Sequence, residues 1–572
     1  MTRVFAKFAC VAAVALLIGD LTTSPGQAQG RRGGPRDWSH SRIVASRFGP
    51  DADQNITKDW RTYAKHLQID RALAAGDPQQ DWLERFFGRP QKPKSQPDGP
   101  HLDWNLSTGG LGNVVGYPAK MSMDVSASNC SDVIYFTVDQ AGSASAVNVI
   151  AITNPYAGCT GNATGATPTV KFGIAMTTGT ATSAVPSLDG KVLYVLESRP
   201  SGSGGPILHA INVDNIVTNP GTYNFGTNTW TVTHTLAAPT GLPTSEQLFQ
   251  ITFAGVTNNV ASPYLDYATN QLFFGDSTGR IHRVVNVDLT TAARDTTNFP
   301  VACGTAQLQS PVYWNNQIVT TSADGKLYRI DTAAATPYTC IASVLGGAGT
   351  GGGVGGGMSA PVLDVTNNKI ITGSNNANGG GGRGIGAFNL TFASGESPTT
   401  FVFTGTTSTT IAPVAPSFDD AFWSTNNGNV YTSGTNTAGT NTYLIRVPYN
   451  GNLGAIAGKA ALNHTGGVAV IATSPVTEFL TAAASTPDYI FIGGGSGNYK
   501  YVNRISSGFS GSDASPSTMA GTFAPAQGIL SGIIIDTRTT AMTGSTATAN
   551  IYFGTVGGGG TQSTIVQLAQ AF

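Results

Sequence analysis

Charged side chains are scarce in this chain of 572 residues. Lysine, arginine, aspartate and glutamate together make up 11% of it, and the formal net charge is −1 at pH 7. Nucleic acids and anionic membrane surfaces are bound chiefly through clustered lysine and arginine. The composition therefore argues against both kinds of partner, and we expect no nucleic-acid ligand.

Long hydrophobic runs are also missing, since a membrane-spanning helix needs about 20 apolar residues. The longest candidate, Phe8–Ile18, follows Arg3 and Lys7 and precedes a small-x-small site that ends at Ala28. Basic residues, a short apolar stretch and a cleavage site in this order are typical of a secretory signal peptide. The sequence predicts a leader over residues 1–28, cleavage near Ala28, no membrane span, and a periplasmic or secreted mature protein.

The motifs of several enzyme classes are absent from the sequence. It contains no HxH, HExxH or CxxC pair of metal ligands, and no GxSxG between a strand and a helix. The glycine-rich stretch Gly346–Gly357 matches GxGxxG formally, but it precedes a strand where a dinucleotide site needs a helix. It is therefore interpreted as a loop. No catalytic, cofactor-binding or metal-ligating residue is assigned, and the cofactor is left unknown.

The sequence does contain a repeating strand pattern led by proline. Successive Ser-Pro or Ala-Pro pairs are 48, 50, 52 and 62 residues apart, and proline at the first position of a strand leaves its ladder intact. The clearest unit, Gln309–Asp331, reads as three strands joined by turns, with Asp324-Gly325 as a hairpin signal. The pairs and one further leading proline are Ser262-Pro263, Ser310-Pro311, Ala360-Pro361, Ala412-Pro413, Ser474-Pro475 and Pro186.

A strand-rich period near this length indicates a β-propeller. Eight units can be traced, although the weak terminal units leave seven as an alternative. Thr169–Met176 and Thr229–Leu236 are predicted as outer fourth strands, and Leu102–Ser107 is predicted to complete the last unit and close the ring. We expect an all-β fold, an eight-bladed (alternatively seven-bladed) propeller over residues 101–572, with a short helical N-terminal extension and proline-rich linker over residues 29–100.

The N-terminal extension differs in composition from the repeats. A helix is predicted over Lys58–Ala75, and the prolines of Pro90–Pro100 predict an extended linker. We expect these helices to pack on the flank of the propeller or to cover one end. An alternative is a docking segment for a partner, anchored by Trp60, Trp82 and Phe86, because aromatic side chains dominate such contacts.

The unit SPVYWNNQIVTTSADGKLYRID resembles the repeat of the quinoprotein-like, pyrroloquinoline-quinone-type β-propellers. The resemblance implies a propeller over most of residues 110–572, in a superfamily that contains enzymes, assembly factors and binding proteins. Its dehydrogenases have a vicinal disulfide, a tryptophan stacked on the quinone, and a Glu/Asn/Asp set holding calcium beside a catalytic aspartate. This chain has no adjacent cysteines, and none of Trp230, Trp314 and Trp423 can be placed against a quinone. No catalytic residue is carried over.

Four cysteines follow the predicted leader, and an even number in an exported chain indicates disulfides. Cys130 precedes the second strand of the first unit and Cys159 follows its third, which places both at one end of a blade. We expect a bond between them. Cys303 and Cys340 fall in the outer-strand regions of successive units. Whether they bond is left open, because outer strands of neighbouring blades diverge and a bond needs Cα atoms within about 7 Å.

Two histidines and a tyrosine occupy equivalent places in the third strands of successive units. His209, His282 and Tyr328 would point the same way and form a polar stripe or part of a metal site, the alternative being ordinary strand residues. Asp276 and Asp324 stand beside glycines in a pattern that suggests calcium loops. Hairpin turn chemistry accounts for both aspartates without a metal.

We expect an exported, non-catalytic propeller that acts as a binding or scaffold module. Its ligand, a protein or a carbohydrate, would sit at one end of the ring, where loops from all blades converge. The alternatives are a propeller enzyme with a channel-mouth site, either a degenerate quinoprotein or carbohydrate-active, and a surface or matrix component that self-associates through its weakly charged faces. The sequence leaves the oligomeric state open.

Overall fold

The fold was analysed in a computed structural model. It describes residues 35–36, 42–44, 101–114, 116–122, 129–156, 159, 168–176, 179–199, 204–216, 221–231, 235–236, 246–256, 260–343, 358–377, 382–406, 414–435, 442–462, 473–479, 489–494, 502–506, 511–514, 517–518, 528, 531–537, 549–557 and 562–570. Within these ranges no helix has the length and apolar character needed to cross a membrane.

Three short N-terminal strands precede the blades, which are numbered in chain order. These strands are β1 (Pro35–Arg36), β2 (Ile43–Val44) and β3 (His101–Ser107). Blade 1 contains β4 (Ala119–Met121), β5 (Val133–Thr137), β6 (Val149–Thr153) and β7 (Thr169–Met176). Blade 2 begins with β8 (Thr180–Ala181), β9 (Val185–Pro186), β10 (Val192–Ser198) and β11 (Ile207–Asn212). A hairpin, an added strand on β7 and the last strand of blade 2 follow as β12 (Thr222–Asn224), β13 (Thr229–Thr231), β14 (Thr235–Leu236) and β15 (Gln247–Thr252).

The next three blades are built from consecutive strands. Blade 3 contains β16 (Tyr264–Asp266), β17 (Gln271–Gly275), β18 (Arg280–Val285), β19 (Ala293–Arg294) and β20 (Val301–Ala302). Blade 4 contains β21 (Val312–Trp314), β22 (Gln317–Thr321), β23 (Leu327–Asp331) and β24 (Cys340–Ala342). Blade 5 contains β25 (Val362–Asp364), β26 (Lys369–Ala377), β27 (Gly382–Asn389) and β28 (Thr400–Thr406).

The remaining blades include a short helix and both ends of the ring. Blade 6 contains β29 (Ser417–Phe418), α1 (Asp420–Thr425), β30 (Gly428–Thr435), β31 (Thr442–Tyr449) and β32 (Gly458–Ala461). Blade 7 contains β33 (Thr477–Phe479), β34 (Tyr489–Gly493) and β35 (Val502–Ser506), then β36 (Gly511–Ala514), which pairs with β32, and β37 (Ser517–Thr518). Blade 8 contains β38 (Ile534–Thr537), β39 (Ala549–Gly554) and β40 (Thr564–Gln570), with β3 as its outer strand.

The described strands thus form eight sheets of at least four strands, apart from the β12–β13 hairpin. Seven sheets are built largely from one stretch of chain, and the eighth joins both ends of the ring because β3 pairs with β40, with Leu106 opposite Ile565. Buried apolar clusters connect every pair of neighbouring sheets, including Trp104 with Ile150 between blades 8 and 1. The predicted all-β propeller and its closure by Leu102–Ser107 are confirmed.

The apolar runs of the central strands follow from this stacking. Each blade lies between two others, so both faces of its middle strands are buried. Alternate residues of β10 point to opposite faces of the sheet. Leu193 and Val195 therefore join the cluster shared with blade 1, whereas Tyr194 and Leu196 join the cluster shared with blade 3.

A serine ahead of the innermost strand explains part of the repeat. In three blades its hydroxyl accepts a hydrogen bond from a glycine N–H of the second strand. Proline follows Ser474 directly but comes two residues after Ser359. The prolines therefore indicate where the inner strand starts, but they do not fix its register against the second strand. The bonds are Gly373 N to Ser359 Oγ (2.8 Å), Gly493 N to Ser474 Oγ (2.7 Å) and Gly554 N to Ser531 Oγ (2.7 Å).

The prediction of Thr229–Leu236 as an outer strand is wrong. β13 pairs with β12 as a separate hairpin, and β15 is the outer strand of blade 2. The physical reason is Trp230, which is only 4% exposed and packs at the junction of blades 8 and 1. Its burial there draws the segment away from its own blade. The prediction of Thr169–Met176 as an outer strand is confirmed by β7.

Candidate functional site

The central channel is lined by the first strand of each blade. We call the four strands of a blade A to D from the channel outward. Successive strands are antiparallel, so every A strand runs in the same direction. The D–A end of the ring is where strand D leads to the next strand A, and it also carries the B–C turns. The A–B end carries the A–B and C–D turns.

Two A strands carry an additional strand from the N-terminal segment. β1 pairs antiparallel with β4 of blade 1, with Arg36 opposite Lys120. β2 pairs in parallel with β25 of blade 5, with Val44 opposite Asp364. Among the described A strands, only these two carry such an addition. Blades 1 and 5 are four positions apart in the ring of eight sheets, so the segment contacts opposite sides of the channel.

The two added strands run in opposite directions. β1 runs against the A strands, from the A–B end toward the D–A end, and β2 runs with them. Both strands lie within the N-terminal extension predicted over residues 29–100, ahead of its predicted helices. Strand pairing satisfies N–H and C=O groups that an edge strand leaves open, which a helix cannot do. The predicted helix Lys58–Ala75 and the anchors Trp60, Trp82 and Phe86 lie outside the described residues.

Arg42 directly precedes β2. Arg42 is only 6% exposed. Its Nη1 donates a long hydrogen bond of 3.5 Å to the carbonyl oxygen of Ser310. The guanidinium carbon is 6.0 Å from the centre of the Tyr117 ring. Burial raises the pKa of Tyr117, and the charge and hydrogen bond of Arg42 offset part of that rise. The guanidinium thus joins the loops that lead into blades 1 and 4.

Tyr117 is itself held by neighbouring blades. Its N–H donates to Ser183 Oγ at 2.9 Å, in the loop that leads into blade 2. Its ring lies directly on Gly532 of blade 8, where a Cβ atom would stand 1.9 Å from Cδ1 of the ring. Glycine at this position, where other blades have alanine or proline, was the available sequence signal. Tyr117 and Arg42 were both missed because their partners are distant in sequence.

A buried ion pair stabilises the position of strand β4. Lys120 Nζ lies 3.2 Å from Asp132 Oδ2, and both side chains are fully buried. Tyr156 donates its hydroxyl hydrogen to the same carboxylate oxygen at 2.6 Å. Removing one partner of such a pair leaves an uncompensated charge. Lys120 therefore fixes the strand on which β1 is added.

The two histidines of the predicted stripe are buried and paired within their own blades. His209 Nε2 lies 2.8 Å from Glu197 Oε2, and His282 Nε2 lies 2.9 Å from Asp276 Oδ2. The His282 ring also stacks on Phe274, with centroids 4.9 Å apart. Nδ1 of each histidine has no hydrogen-bond partner among the described residues. The carboxylates orient the rings as parts of the blade core, since both sites are closed to solvent.

Tyr328 follows the same pattern in blade 4. Its ring is 2% exposed, and its hydroxyl lies against Gly304 of the preceding blade. Burial raises the pKa of Tyr328 to about 12, and the charge of Asp324 adds to the rise. Asp324 itself lies in the B–C turn, where Gly325 has φ of +83°. In the described part of the chain, no group of three or more His, Cys, Asp or Glu side chains is placed to hold a metal ion.

Asp276 organises the B–C turn of blade 3. Its Oδ1 accepts hydrogen bonds from Thr278 N at 2.8 Å, Thr278 Oγ1 at 2.9 Å and Arg280 N at 3.0 Å. Burial raises the pKa of this carboxyl group, but the hydrogen bonds from His282, Arg280 and Thr278 outweigh burial and leave the pKa below its ordinary value. The aspartate stabilises the turn, and its carboxylate oxygens accept hydrogen bonds from residues of its own blade.

The four cysteines that follow residue 28 are paired in the structure. Cys130 and Cys159 form a disulfide with Cα atoms 5.3 Å apart, which confirms the expected bond. Cys303 and Cys340 also form a disulfide, with Cα atoms 5.0 Å apart. The sequence left this second bond open, and it can form because Cys303 lies beyond β20 in the connection toward blade 4. The bond links blades 3 and 4 at the outside of the ring.

Comparisons with known proteins were made for the whole chain. No family model matches it, and no curated protein matches it. The crystal structure of Saccharomyces cerevisiae Sqt1 is similar at 12% identity and a TM-score of 0.49, covering 83% of this chain and 100% of that one. A Dos1 propeller is similar at 8% identity and a TM-score of 0.46, covering 82% and 95%. The computationally designed Ika8 protein is similar at 9% identity and a TM-score of 0.43, covering 81% and 98%.

Proposed function

We propose that this protein is an exported, non-catalytic β-propeller that binds a polypeptide ligand as an added strand along the innermost strands of its channel. The observation that supports the proposal is the pairing of β1 with β4 and of β2 with β25. Both A strands accept an extended segment through main-chain hydrogen bonds. Strand addition to an exposed sheet edge is a recurrent mode of peptide recognition.

The other inner strands favour the same kind of ligand. In the described residues β9, β16, β21, β29, β33 and β38 each lie at the edge of a sheet without a further strand on the channel side. An edge of this kind presents N–H and C=O groups in the spacing of a peptide backbone. A protein ligand therefore suits the channel better than a carbohydrate, whose hydroxyl groups lack that spacing.

Export is part of the proposal. The predicted leader over residues 1–28 supports it, and so do the two disulfides, because such bonds persist in oxidising compartments. We place the mature protein in the periplasm or outside the cell. Membership of the quinoprotein-like propellers remains a prediction from the repeat and adds no catalytic residue.

The test uses a protein that has folded with its segment in place. A protease site is inserted after Pro50, the purified protein is cut, and the released segment is removed by gel filtration. The emptied ring is then screened against a library of random extended peptides, with the uncut protein as the control. We expect peptides that bind the emptied ring and bind the uncut protein at least about tenfold more weakly, because its own segment competes. A folded, emptied ring that binds no peptide would contradict the proposed function.

A further inference from the structure

We infer that Tyr117 and the carbonyl oxygen of Ser310 form an arginine-binding subsite at the D–A end of the channel, and that residues 35–44 of the same chain occupy it as a resident ligand. This inference rests on the proposed function and specifies its ligand. The class of ligand is an extended polypeptide with an arginine immediately before a short strand, as Arg42 stands before β2.

The geometry of the subsite suits a guanidinium group. Its planar face can lie over an aromatic ring while its N–H groups donate to oxygen atoms beside the ring. In Arg42 the guanidinium carbon lies 6.0 Å from the centre of the Tyr117 ring, and Nη1 donates to the Ser310 carbonyl oxygen at 3.5 Å. A lysine ammonium offers neither the flat face nor the divergent donors. The subsite should therefore prefer arginine to lysine.

The surrounding blades keep the subsite in shape. Tyr117 is fixed through its N–H by Ser183, and Ser183 N in turn donates to Ser262 Oγ at 3.1 Å. The Tyr117 ring is supported from below by Gly532. Loops leading into blades 1, 2, 3 and 8 thus contribute to the position of one ring, and Ser310 adds the loop into blade 4. A site assembled before the ligand binds loses less entropy on binding.

The resident segment has the advantage of being tethered. Because the segment is part of the same chain, its binding is intramolecular and needs no free ligand in solution. An external partner must therefore displace β1 and β2 or bind an inner strand that they leave open. Arg42 and β2 set the sequence that a displacing ligand must match, an arginine followed by a strand that runs parallel to β25.

The experiment again uses the protein cut after Pro50. A fluorescent synthetic peptide of residues 29–50 is titrated into the emptied ring, and anisotropy gives its affinity. Unlabelled competitors carry Arg42→Ala, Arg42→Lys or, as the matched control, Arg47→Ala. We expect Arg42→Ala to compete at least about tenfold less well, Arg42→Lys to be intermediate, and Arg47→Ala to stay within about twofold of the natural peptide.

Two results would overturn the inference. One is failure of the natural peptide to bind while library peptides do bind, which refutes the resident ligand but leaves the proposed function standing. The other is equal competition by Arg42→Ala and the natural peptide, which refutes the arginine subsite. If neither this peptide nor any library peptide binds a folded ring, the proposed function fails with it. Circular dichroism and intact disulfides establish that the emptied ring is folded.

Discussion

The indole N–H of Trp230 donates a 2.7 Å hydrogen bond to the carbonyl oxygen of Ser107, 123 residues earlier in the chain. Ser107 ends β3, the strand that closes the ring on β40. Tyr223 of the same hairpin accepts from Ser107 N at 3.0 Å. An insertion in blade 2 therefore holds the closing strand in place from outside the ring.

Replacing Trp230 should weaken this closure. Trp230→Ala removes a large buried ring and a hydrogen bond, and we expect a loss of about 3–5 kcal/mol in the free energy of unfolding. Denaturant titration followed by fluorescence and circular dichroism measures it. Phe225→Ala is the matched control, because Phe225 lies in the same hairpin and is 44% exposed. We expect a change of less than about 1.5 kcal/mol for it, because Phe225 contributes only an edge-on contact with the Tyr223 ring; equal losses in both variants would argue against the clamp.

The disulfide between blades 3 and 4 should contribute to stability. The double variant Cys303→Ser/Cys340→Ser releases a loop with a sequence separation of 37 residues, and we expect a loss of about 2–4 kcal/mol. Thiol titration of the denatured mature protein should give no free thiol per chain. If protein secreted by its own host contained two free thiols per chain, one of the two disulfides would be absent, which would contradict the structure.

Asp276 should make stability depend on pH in the acid range. Its folded pKa lies below the ordinary value of 3.8, so the folded state holds fewer protons than the unfolded state near that pH. The stabilisation of the folded state by the ionised Asp276 is fully present above the pKa of the unfolded state, and it is lost as the pH falls through the pKa of the folded state. Asp276→Asn should cost about 1–3 kcal/mol at pH 7 and clearly less at pH 3. Unfolding titrations at both pH values test this, and a cost independent of pH would contradict it.

Gly532→Ala should disturb the channel without touching the segment itself. The new Cβ would stand 1.9 Å from Cδ1 of Tyr117, so the ring must leave the position in which it contacts Arg42. We expect the peptide of residues 29–50 to bind the emptied variant at least about tenfold more weakly. Gly454→Ala is the control, because its Cβ would meet Pro448 at an ordinary 3.4 Å. If the peptide bound the Gly532→Ala ring with unchanged affinity, the position of the Tyr117 ring would not contribute to arginine binding, and the inference would be contradicted.

Local patterns were sufficient to predict the blades. Proline at strand starts, Asp-Gly turns and apolar runs are properties of neighbouring residues, and they led to the propeller, its closing strand and the bond from Cys130 to Cys159. The outer strand of blade 2 was misplaced because Trp230 gains more by packing on another blade than by continuing its own. Such a choice depends on tertiary contacts, which a local pattern does not contain.

The candidate site was harder to predict for the same reason. His209 and His282 stood out because they occupy equivalent places in the third strands of neighbouring units, yet each is paired with a carboxylate of its own blade. Arg42, Tyr117 and Ser310 meet only after the ring has closed. A short segment with little strand character becomes a strand because the inner edges of blades 1 and 5 offer it hydrogen-bond partners.

Hydrogen exchange of the inner strands tests the central claim most directly. The protein cut after Pro50 is compared by mass spectrometry before and after removal of the segment. Faster exchange is predicted for peptides covering β4 and β25, with no change for β16 and β21, because only the first two carry added strands among the described A strands. Unchanged exchange in β4 and β25, or an equal increase in all four strands, would contradict binding of residues 35–44 along the channel.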